Sequence, residues 1–143
     1  MQIIATNRKA KFEYFTEKKY EAGIVLKGEE IKSIRNHGIN IQEAYITDIK
    51  GELFLVNAHV SKYKYSYNPT YDPTRSKKLL LHKNQIIKII SLANQKSYTC
   101  IALLAYLTRG MLKITVGVCK GKKLYDKRKS LKEKTIKRDR RYE

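Results

Sequence analysis

Few side chains in this sequence have the types and spacing that drive chemistry. His37, His59 and His82 are scattered, and none stands at metal-ligand spacing from another. There is no Gly-rich phosphate loop, no nucleophile elbow and no helical His-Glu-x-x-His. Glu29 and Glu30 are adjacent, and a helix points neighbouring residues about 100° apart. They suit the first turn of a helix, at the positive end of its dipole, better than an acid–base pair. Cys100 and Cys119 are too few for a disulfide framework, and with no nearby His they make a poor zinc site. The expectation is a protein without catalytic residues, metal or cofactor.

Binding chemistry is better represented. The 143 residues include 31 Lys and Arg against 13 Asp and Glu, a net charge of +18. Hydrophobic residues make up 42% of the chain, enough for a core. The longest strongly apolar stretch, Ile101 to Leu107, is far too short to span a bilayer. The N-terminus has no apolar segment of secretory-signal length. These features predict a soluble, cytoplasmic, monomeric protein whose partner is nucleic acid, with no membrane role. The charge is uneven: Lys120 to Glu143 holds twelve basic and four acidic residues, or +8, leaving +10 on residues 1–119. That end has no apolar stripe to dock. It reads as a tail, 121–143, disordered alone and helical against a negative surface; a solvated tail that only aids solubility is the bland alternative.

Three basic clusters mark the body. Asn7, Arg8, Lys9, Ala10 and Lys11 form the first, and Lys32 with Arg35 the second. The third, Lys62 to Lys78, alternates Lys with Tyr63, Tyr65 and Tyr67 and contains both prolines, so it reads as a loop or strand extension. If extended, the three rings share one face, and cations on phosphates beside rings on bases suit RNA. An edge strand covered by tyrosines is the competing reading.

The elements that position these clusters follow from hydrophobic period. Tyr98 to Lys120 reads as two strands turning at Arg109-Gly110. That turn pairs Leu107 with Leu112, Ala105 with Ile114, Leu103 with Val116 and Ile101 with Val118, all on one face. On the other face it sets Cys100 opposite Cys119. Ala44 to Val60 reads as a second antiparallel pair around Lys50-Gly51. A largely buried helix is expected from near His82 to just before Asn94, and a shorter one from Glu29 to Asn36 ending at His37-Gly38. Tyr20 to Leu26 reads as a strand entering the shorter helix. Short antiparallel strands with two helices suggest an OB-like barrel or an open α+β sheet.

The motifs, in order, resemble one family. They are Asn7-Arg8-Lys9-Ala10, Tyr14-Phe15, Tyr20-Glu21-Ala22-Gly23-Ile24, Leu26 to Arg35, Asp72 to His82, and Gly121 to Arg128. This series is similar to the SmpB family, proteins that bind transfer-messenger RNA (tmRNA, SsrA RNA). The resemblance implies an OB-fold-like antiparallel β-barrel with flanking helices, mainly β, occupying residues 1–120. It also implies trans-translation: binding the tRNA-like domain of tmRNA and delivering it to stalled ribosomes. Asn7, Tyr14 and Glu21 would then lie on the RNA-contacting surface with Arg8 and Lys9, and Lys32 and Arg35 would meet phosphates. Arg75, Lys77 and Lys78 would touch RNA, while Leu79 to Leu81 serve the core. In the tail, Gly121, Lys122, Lys123, Tyr125, Asp126, Lys127 and Arg128 would engage the small-subunit decoding centre and mRNA channel. The chain departs from the family pattern at Lys77, where Arg is usual, at Cys119, and in a short tail. Another ribosome-associated OB-fold translation factor is the second reading.

Overall fold

Both predicted turns place their two central residues at positive φ. Lys50 and Gly51 have φ of 53° and 80°, and Arg109 and Gly110 have 51° and 76°. This is the backbone twist that two-residue hairpins need. In the computed structural model, which describes residues 1–95 and 97–121, seven strands and three helices are arranged around these turns. In chain order they are β1 (Gln2–Thr6), α1 (Arg8–Glu13), β2 (Tyr14–Ile24), α2 (Gly28–His37), β3 (Tyr45–Ile49), β4 (Glu52–Val56), β5 (Lys77–Leu80), α3 (Lys83–Ala93), β6 (Tyr98–Thr108) and β7 (Met111–Gly121).

The sheet closes. Antiparallel pairs run β6–β3, β3–β4, β4–β5, β5–β2 and β2–β7, and β7 pairs back to β6, with β1 added on β6. Closure removes the open edges that would otherwise template aggregation. This is the mainly β, OB-fold-like barrel expected. Leu53, Leu55, Leu79, Ala102, Ile114, Val116 and Val118 fill the interior, and α2 and α3 contribute Ile34 and Ile89.

The β6–β7 register holds at Leu107–Leu112 and Ala105–Ile114, then slips by one at a β-bulge between Ala102 and Leu104. Beyond it Ala102 faces Val116 and Cys100 faces Val118, in place of the predicted Leu103 and Ile101. The slip turns Ile101 and Leu103 outward, where they pack with Ala10, Tyr14 and Cys119 beneath α1. Gly117 accommodates the displaced Leu103: a β-carbon there would lie 2.5 Å from Leu103 Cδ1. Cys119 therefore pairs with Thr99 instead of Cys100, and the thiols belong to different clusters. Burial pushes the Cys100 thiol up to about 12 and raises that of Cys119. Neither is poised to react.

Asn7 satisfies the bulge. Its backbone N–H donates to Leu103 O at 2.9 Å, and Nδ2 donates to Ala102 O at 2.9 Å and Ile41 O at 3.2 Å. Oδ1 accepts from Ala10 N at 3.1 Å and so caps α1. With 3% of its surface exposed, Asn7 is an interior residue whose polar atoms are engaged by the fold.

Two other expectations change. β2 begins at Tyr14 instead of Tyr20, because β7 pairs with it along its whole length while Glu17, Lys18 and Lys19 stay exposed. α3 is amphipathic instead of largely buried: Ile89 is fully buried, but Ile87 is 58% exposed. Leu79 and Leu80 belong to β5, where Leu79 serves the core and Leu80 is 52% exposed. The shorter helix ends as expected at Gly38, whose φ is 77°.

Glu30 organises the second polar interior. It is 1% exposed and takes Arg75 Nε at 3.1 Å and Nη2 at 2.6 Å, plus Lys27 N–H at 2.7 Å. Lys77 Nζ stands 3.7 Å away and donates to Arg75 O at 2.7 Å. Lys77 is fully buried, so its departure from Arg bears first on Glu30. Burial alone would raise the pKa of Glu30. The Arg75 hydrogen bonds, the Lys27 N–H and the nearby Lys77 charge outweigh it and hold the carboxylate below its ordinary range.

Two outcomes follow from these interior groups. Asn7→Ala removes a helix cap and leaves buried carbonyls without donors, so it should lower unfolding free energy in urea by about 2–4 kcal/mol. Unchanged stability would contradict the structural role. Glu30→Gln leaves two cations without their carboxylate and should cost about 3 kcal/mol at neutral pH. Because the folded pKa lies below the unfolded one, the native state binds fewer protons in acid, and this stability falls as pH drops through the folded pKa. The gap between wild type and Glu30→Gln should therefore narrow below the ordinary carboxylate range. A gap independent of pH would contradict it.

Candidate nucleic-acid interface

Strand alternation sets what the outer wall of β2, β7 and β6 presents. With Ala22, Ile114 and Ala105 turned inward, Glu21, Thr115, Lys113 and Tyr106 turn outward. Lys113 pairs with both Gly23 and Tyr106, and Glu21 pairs with Thr115 one step along. Gly23 has no side chain to obstruct its neighbour: a β-carbon there would lie 3.7 Å from Lys113 Nζ and 3.4 Å from Leu80 Cβ. The result is a cleft of about 490 Å³ lined by Glu21, Gly23, Leu80, Leu81, His82, Gln85 and Lys113.

Its electrostatics are mixed within a basic molecule. Tyr106 is 6% exposed; burial first, then its hydrogen bond to Glu21 and the carboxylate's charge, push its hydroxyl up to about 12. The hydroxyl stays protonated and holds Glu21, which remains exposed. His82 caps α3 and its N–H donates to Gln85 Oε1 at 3.3 Å, so the positive end of an 11-residue helix borders the cleft. A carboxylate accepts from base edges and 2′-hydroxyls, while an ammonium and a helix N-terminus attract phosphate. The cleft thus combines discrimination with charge. An adjoining groove of about 290 Å³ shares Gly23, Leu80 and Lys113 and continues over Ile24, Leu26, Ile31 and Met111.

The residues singled out in the sequence divide into groups. Glu21 is exposed at the cleft, and Tyr14 is half-buried seven positions earlier on β2, roughly 20 Å away at strand spacing. Arg8 and Lys9 are exposed on α1, where Lys9 pairs with Glu43 at 3.0 Å. On α2, Lys32 and Arg35 are exposed; Lys32 Nζ lies 5.7 Å from the Tyr63 ring centre, and Arg35 Nη2 donates to Gly110 O at 3.1 Å. Lys78 pairs with Glu52 at 3.1 Å, and Arg75 is engaged by Glu30. Gly121 ends β7, exposed, opposite Tyr14. Lys122, Lys123, Tyr125, Asp126, Lys127 and Arg128, with the rest of the expected tail, lie outside the described residues.

Lys113, Leu80 and Gln85 escaped the sequence reading. A single Lys within the apolar run of β7 was the available signal for Lys113. No such signal marked Leu80, which sits in an unbroken Leu triplet. Among the described residues no group of three or more His, Cys, Asp or Glu side chains could hold a metal, and no helix is long and apolar enough to cross a membrane.

Comparison with known proteins agrees along almost the whole chain. The family model described as SmpB protein matches residues 4–143. The SsrA-binding protein of Oceanobacillus iheyensis is 50% identical over 139 residues, 96% of this chain and 90% of that protein. That of Geobacillus thermodenitrificans is 45% identical over 138 residues, 96% and 89% of the two chains. A solved structure presented as "tmRNA-SmpB: a journey to the center of the bacterial ribosome" superposes with a TM-score of 0.69 at 36% identity, covering 84% of this chain and 85% of that one. With its motifs in order, its strands closed into a barrel and its length matched throughout, the chain belongs to the SmpB family.

Proposed function

We propose that this protein binds the tRNA-like domain of tmRNA and delivers it to stalled ribosomes for trans-translation, as a non-catalytic adaptor. The relatives named SsrA-binding proteins and the solved tmRNA-SmpB structure support this reading. Within the molecule one observation carries it. Glu21 stands exposed on a protein of net charge +18, oriented by Tyr106 and bordered by Lys113. Phosphate attraction alone has no use for a carboxylate; recognition of base edges or 2′-hydroxyls does.

Lys113 supplies the phosphate contact beside it. Lys32, Arg35, Arg8 and Lys9 extend the positive field over neighbouring faces, and Tyr14 offers a ring at the start of β2. Lys78 contributes after exchanging its exposed partner Glu52, a surface pair of small energy. Arg75 acts here through Glu30 rather than through RNA. The segment from Lys120 to the end completes the adaptor: its +8 charge suits rRNA phosphates in the decoding centre and mRNA channel, with Tyr125 stacking on a base.

Glu21→Ala should weaken binding to the tRNA-like domain about tenfold, the loss of one good base contact, with no matching loss for an unrelated hairpin RNA. Lys113→Ala should weaken both and reduce the salt slope by about 1. Filter-binding titrations from low salt to about 0.15 M check both, and an unchanged affinity for Glu21→Ala would remove it from the interface. Truncation before Gly121 should leave tmRNA affinity largely intact and abolish peptide tagging in a reconstituted stalled-ribosome assay. Equal loss of both activities would refute the separation of body from tail.

A further inference from the structure

We infer a second RNA contact: Tyr63, Tyr65 and Tyr67, with Lys32 and Lys64, form a stacking surface for unpaired bases, outside the lining of the Glu21 cleft. It rests on the RNA-binding reading above and adds a site on the α2 side of the barrel.

Of the two forms expected for this segment, a loop or a strand extension, the structure takes the first. It is a loop, fastened while its rings stay outside. Glu29 accepts from Ser66 Oγ at 2.6 Å and from Asn68 Nδ2 at 3.3 Å. Ser66 N–H closes a turn onto Tyr63 O at 2.9 Å, and the Tyr71 hydroxyl donates to Val60 O at 2.6 Å. The hydrogen bonds from Ser66 Oγ and Asn68 Nδ2 lower the pKa of Glu29 and keep it charged, so it is committed to the loop. The Tyr63 and Tyr65 rings meet edge to face at 5.5 Å and 70°, which leaves them unable to stack on one another. Tyr65 is 64% exposed and Tyr67 is 96% exposed.

The cations select the partner. Lys32 Nζ lies 5.7 Å from the centre of Tyr63, and Lys64 Nζ 5.5 Å from that of Tyr65. Among the described residues, no ion pair engages Lys32, Lys62 or Lys64. Two ammonium groups outside any ion pair, Lys32 beside Tyr63 and Lys64 beside Tyr65, match a backbone phosphate with its base turned onto tyrosine. An apolar protein surface would meet charges it cannot pair, and duplex RNA keeps its base faces hidden. Single-stranded or bulged nucleotides satisfy both parts of the surface.

The test uses the full chain and labelled oligoadenylate, against an RNA duplex of equal phosphate count, by fluorescence anisotropy at about 0.15 M salt. The double variant Tyr65→Ala with Tyr67→Ala should lose about tenfold in oligoadenylate affinity, as expected for one stacked base. Its duplex affinity and salt slope should not change, and Tyr65→Phe with Tyr67→Phe should keep wild-type affinity. Unchanged oligoadenylate binding in the Ala variant, or an equal loss for duplex, overturns the stacking surface. Glu21→Ala separates the two sites by sparing oligoadenylate. Wild-type protein that fails to select the tRNA-like domain yet shows the tyrosine-dependent binding would sink the proposed function and leave this surface standing.

Discussion

Everything on the β6 side of the barrel depends on how the bulge at Leu103 is satisfied. A sheet closing on itself must bend, and a bulge bends a strand by inserting one residue and interrupting its ladder. The carbonyls of Ala102 and Leu103 then need donors from elsewhere, and Asn7 supplies both. The same side chain caps α1, so the bulge also seats that helix. From this one arrangement come the outward turn of Ile101 and Leu103, the small cluster with Cys119, and the exposure of Arg8 and Lys9. A residue that looks like part of a basic binding motif is instead the bolt that holds the motif in place.

Glu30 does comparable work for α2. A carboxylate buried to this degree is costly unless its charge and lone pairs are met, and Arg75, Lys27 and Lys77 meet them. Two basic side chains, Arg75 and Lys77, are thereby drawn toward or into the interior of a strongly basic protein. The neighbouring Glu29, one helix step around, holds the tyrosine loop. Two adjacent carboxylates thus tie α2 to β5 on one side and to the loop on the other. What α2 leaves for a partner is Lys32 and Arg35.

Local features were readable without coordinates. Arg109-Gly110 and Lys50-Gly51 announced hairpins because few residues tolerate positive φ, and Gly38 ended α2 for the same reason. The strand pair expected around Lys50-Gly51 is present, and in β4 the buried Leu53 and Leu55 alternate with the half-buried Phe54 and Val56. Glu21 was legible as a binding residue only through its family motif, since composition alone makes it one of thirteen acidic residues. The engagement of Lys77 and Arg75 by a buried carboxylate was not legible, because a Lys or Arg in a basic stretch carries no mark of its partner. Their partner, Glu30, lies 45 residues from Arg75 along the chain.

Sequence alone therefore determined the two hairpins, the two longer helices, the net charge of +18 and its uneven division, and the family, but not β1, α1 or β5. Those properties are local or additive, and order along the chain is enough to express them. Tertiary structure decided which charges remain available. Closure of the barrel placed the bulge, the bulge reversed a strand face, and burial made Asn7 and Lys77 internal supports while a buried carboxylate engaged the partly exposed Arg75. It also brought Glu21, Lys113 and the start of α3 to one cleft, although they come from three separate segments. Such meetings depend on pairing distant strands in one register, and no spacing along the chain records them.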